Sequence, residues 1–411
     1  MPRLLCLFPL MALAASLPAE ETWTRFRGHN GAGISTTKGI PHQWTIEDYR
    51  WKRELPGTGH SSPVIWEKQL FVTSGEENTG ERLVLAIDAD SGSTDWQRNF
   101  SDEAHGKHKL NSFASTTPTV DEQSIYIGWG TPDQVTIMAL KHDGSTRWKT
   151  DLGAFKSGHG YGVSLMLYRD LLIVPHEHEG ESALFALDKK DGSVRWKIDR
   201  DSRVTYSTPC LLKNGGRTEL IFTNYNQGIT ALDPANGRLL WKADVFDRSH
   251  IESSIASPVI AGKLVLATSG WLGHGNELIA VRPPLPGEGN TAKQVYRISR
   301  GAPLCTTPLV NGNLLFLWSD TGIATAADAG TGKVHWQKRI GGTFYASPIC
   351  IGDAIYNIDV DGNVTVLRAS EEFEILGRCS LGDGCHSTPA VAHDRLYLRT
   401  FHGLSAIDRT P

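Results

Sequence analysis

Histidine is the residue that this sequence sets where chemistry can happen. Of its 15 imidazoles, ten fall in short polar stretches between apolar runs: His60, His105, His108, His159, His176, His178, His250, His274, His386 and His402. An imidazole titrates near neutrality, so in a shared site it can ligate a metal, relay a proton or hold an anion. His176-Glu177-His178 sets two rings on one side of an extended segment, because alternate side chains of a strand share a face, and that spacing suits metal ligation. His105, His108 and Asn111 make a second group. His159, Tyr161, His250, Glu252, Trp271 and His274, together with His386 and His402, complete the set that a common mouth would gather. Each of them is equally a polar loop residue solvated on its own, and only convergence in space makes a site.

No familiar catalytic spacing accompanies the histidines. The chain has no nucleophile elbow, no HExxH, no phosphate-binding loop and no zinc-finger spacing, so no reaction class gains independent support. Asp359-Val-Asp361-Gly-Asn363 has part of a calcium loop's pattern, but it stands where a hairpin needs a turn, and a turn is the reading adopted.

The elements that must position these residues are written as a repeat. An apolar stretch, Ala-x-Asp or its equivalent, a turn closed by glycine and a tryptophan four residues later recur as Gly92/Trp96, Gly144/Trp148, Gly192/Trp196, Gly237/Trp241 and Gly332/Trp336. Asp starts a turn and Gly takes the positive φ, so each copy predicts a β-hairpin. Upstream of each lies Ser/Thr-Pro or Ala-Ser-Pro before apolar residues, at Pro63, Pro118, Pro209, Pro258, Pro308, Pro348 and Pro389. The double gap between Pro118 and Pro209 holds a proline-less copy over 162–175. Proline lacks a donor and suits the first residue of a strand, so this marker opens each repeat. Eight repeats of four short strands, without helical periodicity, predict an all-β, eight-bladed β-propeller of four-stranded antiparallel blades.

The chain ends predict how the ring closes. Residues 48–55 look like the Trp-bearing last strand of a blade whose first three strands are missing, and the final copy stops at Asp408 before its Gly and Trp. The N-terminal strand therefore completes the C-terminal blade, which removes open sheet edges. A large ring between blades can bury about 150–250 Å² and satisfy its N–H on a neighbouring carbonyl, so the tryptophans read as structural. The fifth and seventh blades carry Tyr296 and Leu376 near the equivalent place and should pack differently.

The domains follow: a signal peptide over 1–19, an N-terminal extension over 20–47 and the propeller over 48–411. The leader reading rests on Arg3, an apolar run of secretory length and small residues around Ser16 and Ala19. Cys6 lies too early to be a lipidated cysteine, so no membrane anchor is expected, and the mature chain reads as a periplasmic or secreted monomer. The net charge of the full sequence, -4, becomes about -5 without Arg3 of the leader and carries no basic footprint, which argues against nucleic acid. Outside the leader stand Cys210, Cys305, Cys350, Cys379 and Cys385, an odd number, so at least one remains a thiol. Cys379 and Cys385 either close a small loop or stay as separate thiols.

The signature Ala-x-Asp-x-x-x-Gly-x-x-x-Trp resembles the quinoprotein-type repeat of pyrroloquinoline quinone (PQQ) propellers. The opening WTRFRGHNGAGIS and the WKRELPG strand are similar to PQQ-binding-like propeller proteins of planctomycete-type bacteria, and the likeness runs from Trp23 to Asp408. That resemblance implies the propeller fold; it covers quinoprotein dehydrogenases and also non-enzymatic members such as the outer-membrane barrel assembly lipoprotein. The dehydrogenases of the family carry an adjacent Cys-Cys pair on the quinone and calcium-binding carboxylates beside a catalytic Asp, and this sequence has no adjacent cysteines and no Cys-x-x-Cys-His for haem. The expectation is thus a binding or scaffold module for an envelope protein, peptide or glycan, working through a histidine-rich funnel. The alternatives are a PQQ-dependent dehydrogenase of alcohols or sugars, with PQQ implied by resemblance only, and a metal-dependent enzyme using His176 and His178.

Overall fold

The computed structural model describes residues 22–247, 253–271 and 275–410. Eight sheets form the eight blades of the propeller, at 64–100, 119–151, 166–200, 210–243, 259–298, 309–339, 349–380 and, as blade 8, 390–408 joined by Tyr49–Glu54. Within each blade successive strands pair antiparallel, and Tyr49–Glu54 runs antiparallel to Gly403–Asp408, so the last blade is closed by the first long strand of the chain. The expected seam is the observed one.

The register shows why glycine and tryptophan repeat together. Each outer-strand aromatic ring lies opposite an alanine: Ala86 and Trp96, Ala139 and Trp148, Ala186 and Trp196, Ala326 and Trp336, Ala406 and Trp51. The small residue leaves room for the indole to lean across onto the next blade. There its N–H donates to a turn carbonyl, as from Trp51 to Ala89 (3.1 Å), Trp96 to His142 (2.7 Å) and Trp148 to Lys189 (2.9 Å). The turn glycine of that next blade lies under the ring. A Cβ on Gly92 would meet Trp51 at 2.6 Å and one on Gly144 would meet Trp96 at 2.9 Å. Glycine is thus required twice, for φ near +72° to +81° and for the space its missing side chain leaves.

The exceptions obey the same logic. Tyr296 occupies the place in blade 5 and its hydroxyl donates to Ala329 O at 2.8 Å. Trp241 of blade 4 faces a blade without the Asp–Gly turn, and its indole donates instead to the buried Glu219 carboxylate (2.5 Å), which Arg217 neutralises. In blade 7 the residue opposite Val366 is Gly377, beside the expected Leu376. A Cβ there would lie 2.0 Å from His42 O, because the N-terminal extension runs over the vacated place and buries Trp44 against it.

The Ser/Thr-Pro marker has an equally plain role. The residue before a proline is held extended, and here its hydroxyl faces the ring axis and accepts the backbone N–H of its counterpart in the preceding blade. Ser62 N to Thr117 Oγ1 (3.0 Å), Thr117 N to Ser164 Oγ (3.0 Å), Thr208 N to Ser257 Oγ (3.0 Å) and Thr307 N to Ser347 Oγ (2.9 Å) are links of this belt. The belt satisfies inner-strand donors that have no strand beyond them to pair with.

Residues 23–35 of the extension cross the base of the ring. Trp23 bridges to Ile65, Thr24 O accepts Val120 N, Arg25 donates to Pro209 O (2.8 Å), and Ile34–Ser35 adds a parallel fifth strand to blade 7. Arg27, fully buried, donates to Pro308 O and Pro348 O at 3.0 Å each. Burial lowers its guanidinium to about 9, still a cation at neutral pH, solvated by carbonyls in place of a carboxylate.

Candidate functional site

With the base crossed by the extension, the axial channel is a blind cavity of about 360 Å³. Its floor is Phe26 and the hydroxyl belt: Ser62, Thr117, Ser164, Thr208, Ser257, Thr307, Ser347 and Thr388, one from each blade. A second tier comes from the residue two positions before each belt residue. It comprises His60, Ser115, Gly162, Tyr206, Ile255, Cys305, Tyr345 and His386. The rim holds His108, Leu110, Asn111, His159, Val204, Ser253, Trp271 and Leu304.

Two histidine pairs stand in the wall. His60 and His386 lie 4.5 Å apart between ring centroids, with Phe401 packed on both at 5.3 and 5.0 Å and Tyr345 edge-on to His386 at 5.0 Å. Burial holds His386 down to about 4, and burial with the neighbouring His386 holds His60 well below the usual imidazole range. Both are neutral at pH 7, each with one donor and one acceptor nitrogen, of which His386 engages the Leu110 backbone and His60 Nδ1 lies 3.4 Å from Ser115 Oγ. At the rim, His108 and His159 lie 4.7 Å apart between ring centroids with their planes tilted by 35°, and burial followed by His159 lowers His108. Their loops are tied together by Asn111, whose Nδ2 donates to His159 O (2.6 Å) and Tyr161 O (3.3 Å), so its amide holds the lip in place.

The structure thus brings together His108, Asn111, His159, Trp271 and His386 among the expected site residues. The others stand apart. His105 lies in a side cleft beside Arg82 (3.4 Å) and edge-on to Phe113 (5.0 Å). Tyr161 is buried against Phe155 beneath the lip. His402 is exposed next to Asp383 (3.3 Å) and does not line the cavity. His176 and His178 do share one side of their strand, 4.6 Å apart, but they are buried against Phe155 and Phe185 and do not line the cavity. His178 Nδ1 already accepts Lys156 N (3.1 Å) and Gly180 N (3.0 Å), and Glu177 faces the other way onto Arg200 (2.9 Å). His250, Glu252 and His274 lie outside the described residues. Among the described residues no group of three or more His, Cys, Asp or Glu side chains is arranged to hold a metal ion.

Sequence reasoning passed over His60 as a site residue and missed Phe26, Tyr206, Cys305 and Tyr345. Aligning the repeats on their proline would have revealed the second tier, since all of it stands three residues before that position. The five cysteines among the described residues are thiols. Cys379 Sγ accepts Trp44 N at 3.2 Å, and Cys385 donates to Arg399 O at 3.0 Å, so the small-loop alternative is not the one adopted. In the cavity wall, burial and then the adjacent Asp320 push Cys305 well above the ordinary thiol range, which keeps it protonated. Asp359 Oδ1 accepts Asp361 N (3.0 Å) and Asn363 N (2.8 Å), a turn as expected.

The sequence profile described as outer membrane protein assembly factor BamB matches residues 82–282 and 290–372. The chain belongs to that family. The outer membrane protein assembly factor BamB of Yersinia pestis is 22% identical over 306 residues, which is 70% of this chain and 62% of the relative. The chain therefore spans about three fifths of that relative's length. The crystal structure of BamB from Moraxella catarrhalis superposes with a TM-score of 0.64 at 17% identity, covering 87% of this chain and 98% of that one. The quinohemoprotein alcohol dehydrogenase of Comamonas testosteroni gives 0.65 at 12% identity, covering 94% and 80%. At such identities the likeness is one of fold.

Within the BamB family's fold, the axial cavity of this chain can be tested for PQQ. The quinone carries three carboxylates, and holding it demands cationic groups or a carboxylate-bound divalent ion. None of the described lining residues is Lys, Arg, Asp or Glu, and no adjacent cysteines lie in the wall. The described residues do not fit the group.

Proposed function

We propose that this chain is a binding or scaffold module of the bacterial cell envelope, which receives an uncharged segment of an envelope protein, peptide or glycan in the axial cavity. The observation that carries the reading is the character of the wall: a blind cavity of about 360 Å³ whose described lining holds no Lys, Arg, Asp or Glu. That volume falls within the roughly 300–1,000 Å³ of small-ligand sites, and apolar and aromatic surface with a few convergent polar groups is what such sites offer. The family description supports an envelope setting and a protein partner.

The test uses the purified mature chain. A saturable ligand should quench the emission of the half-exposed Trp271, and Trp271→Ala together with His108→Ala should abolish binding while leaving the circular dichroism unchanged. Dye reduction with alcohols or sugars by the chain loaded with PQQ and Ca²⁺ would overturn the reading in favour of a dehydrogenase.

A further inference from the structure

We infer that the axial cavity takes the end of an uncharged carbohydrate chain. The inference rests on the binding reading above and deepens it by naming the ligand class.

Sugar hydroxyls are at once donors and acceptors, and they are best met by groups with the same double capacity. The wall supplies those groups. His60 and His386 each present a neutral ring within one tier. Beneath them each linked belt hydroxyl accepts one backbone N–H, as Thr117 Oγ1 does from Ser62 and Ser347 Oγ from Thr307, and keeps its own proton to direct at the axis. No Lys, Arg, Asp or Glu among the described lining demands a counter-charge from the ligand.

The second element is Trp271. Most ring tryptophans are locked between blades, whereas this one stands 41% exposed at the cavity rim. An exposed indole beside a polar cavity offers a flat apolar face to the C–H side of a pyranose ring.

Two observations turn the choice away from a peptide. An extended peptide binds by main-chain hydrogen bonds to a free strand edge. The inner-strand edge is here engaged by the belt, with Thr208 N on Ser257 Oγ and Ser257 N on Thr307 Oγ1. The described lining also has no Lys, Arg, Asp or Glu to meet a peptide terminus. Because Phe26 closes the floor, the site accepts a chain end and not a strand passing through.

The experiment is calorimetric titration of the full mature chain with neutral hexasaccharides: cello-, xylo-, manno-, laminari- and N-acetylated chito-oligomers. An acetylated, amidated Gly-Ser-Ala-Thr octapeptide and PQQ with Ca²⁺ serve as controls. One sugar series should bind saturably, with an affinity that stops rising beyond the few residues the cavity can hold. Trp271→Ala should weaken it at least tenfold, and His108→Ala several-fold, with the circular dichroism of each variant unchanged. Binding of the peptide without any sugar, or no saturable binding of any hexasaccharide, overturns the carbohydrate assignment and leaves the binding module standing. Dye-linked turnover with PQQ overturns both.

Discussion

Replacing Gly144 by alanine puts a methyl group where the indole of the preceding blade lies. The Cβ would sit 2.9 Å from Trp96 Cδ2, on a backbone with φ of +81°. Two terms add. An L-residue in the left-handed region costs about 1–2 kcal/mol, and overpacking against a ring fixed by its 2.7 Å bond to His142 O costs about 1–3 kcal/mol. Gly144→Ala should therefore destabilise the protein by about 3 kcal/mol. Trp96→Ala, which removes a partly buried ring and orphans a carbonyl, should cost about 3 kcal/mol. The double variant decides the argument. Without the indole the new methyl has room, only the backbone penalty remains, and the combined loss should be about 4 kcal/mol, leaving a coupling near 2 kcal/mol. The assay is urea denaturation followed by far-ultraviolet circular dichroism, since removing a tryptophan alters fluorescence. Additivity within about 0.5 kcal/mol would refute the interlocking of glycine and tryptophan across blades.

Two further outcomes follow from the same structure. His176 is buried and held down to about 4, chiefly by desolvation and then by His178. In the unfolded chain it takes a proton near pH 6.5, so the stability it contributes is complete above that pH and is lost as the pH falls towards 4. The loss is about 1.4 kcal/mol per unit and about 3 kcal/mol in all. Denaturation midpoints measured from pH 7.5 to 4.5 should show a shallower slope in His176→Gln, and an unchanged slope would contradict the assignment. Gly377→Ala should dislodge the extension by about 1–3 kcal/mol of local stability, because the methyl would strike His42 O. Faster proteolysis within 38–47 and red-shifted emission from Trp44, with the blades intact, are the expected signs; resistance equal to the parent chain would show that the extension is held elsewhere.

Much of this architecture was legible before any coordinates, because a propeller is built from local chemistry repeated. The Asp–Gly turn, the tryptophan four residues on and the proline at each first strand are short-range choices that agree with one another. From them alone came the eight blades, their four strands, the closing of the last blade by residues 48–55 and the turn at Asp359. Their physical cause was visible only in three dimensions: the glycine is empty because another blade's indole fills it, and the Ser or Thr before proline serves the blade behind it.

What the tertiary structure alone decided is where side chains converge. A two-residue spacing puts His176 and His178 on one side of a strand but cannot say that this side meets Phe155 and Phe185 instead of the axis. Likewise, nothing local says that residues 23–35 cross the base and make the channel blind, because Arg27 finds Pro308 and Pro348 across some 280 to 320 residues of chain. Hairpin pattern is a property of neighbours in sequence and can be read from them. A cavity wall assembled from one residue per blade is a property of the closed ring.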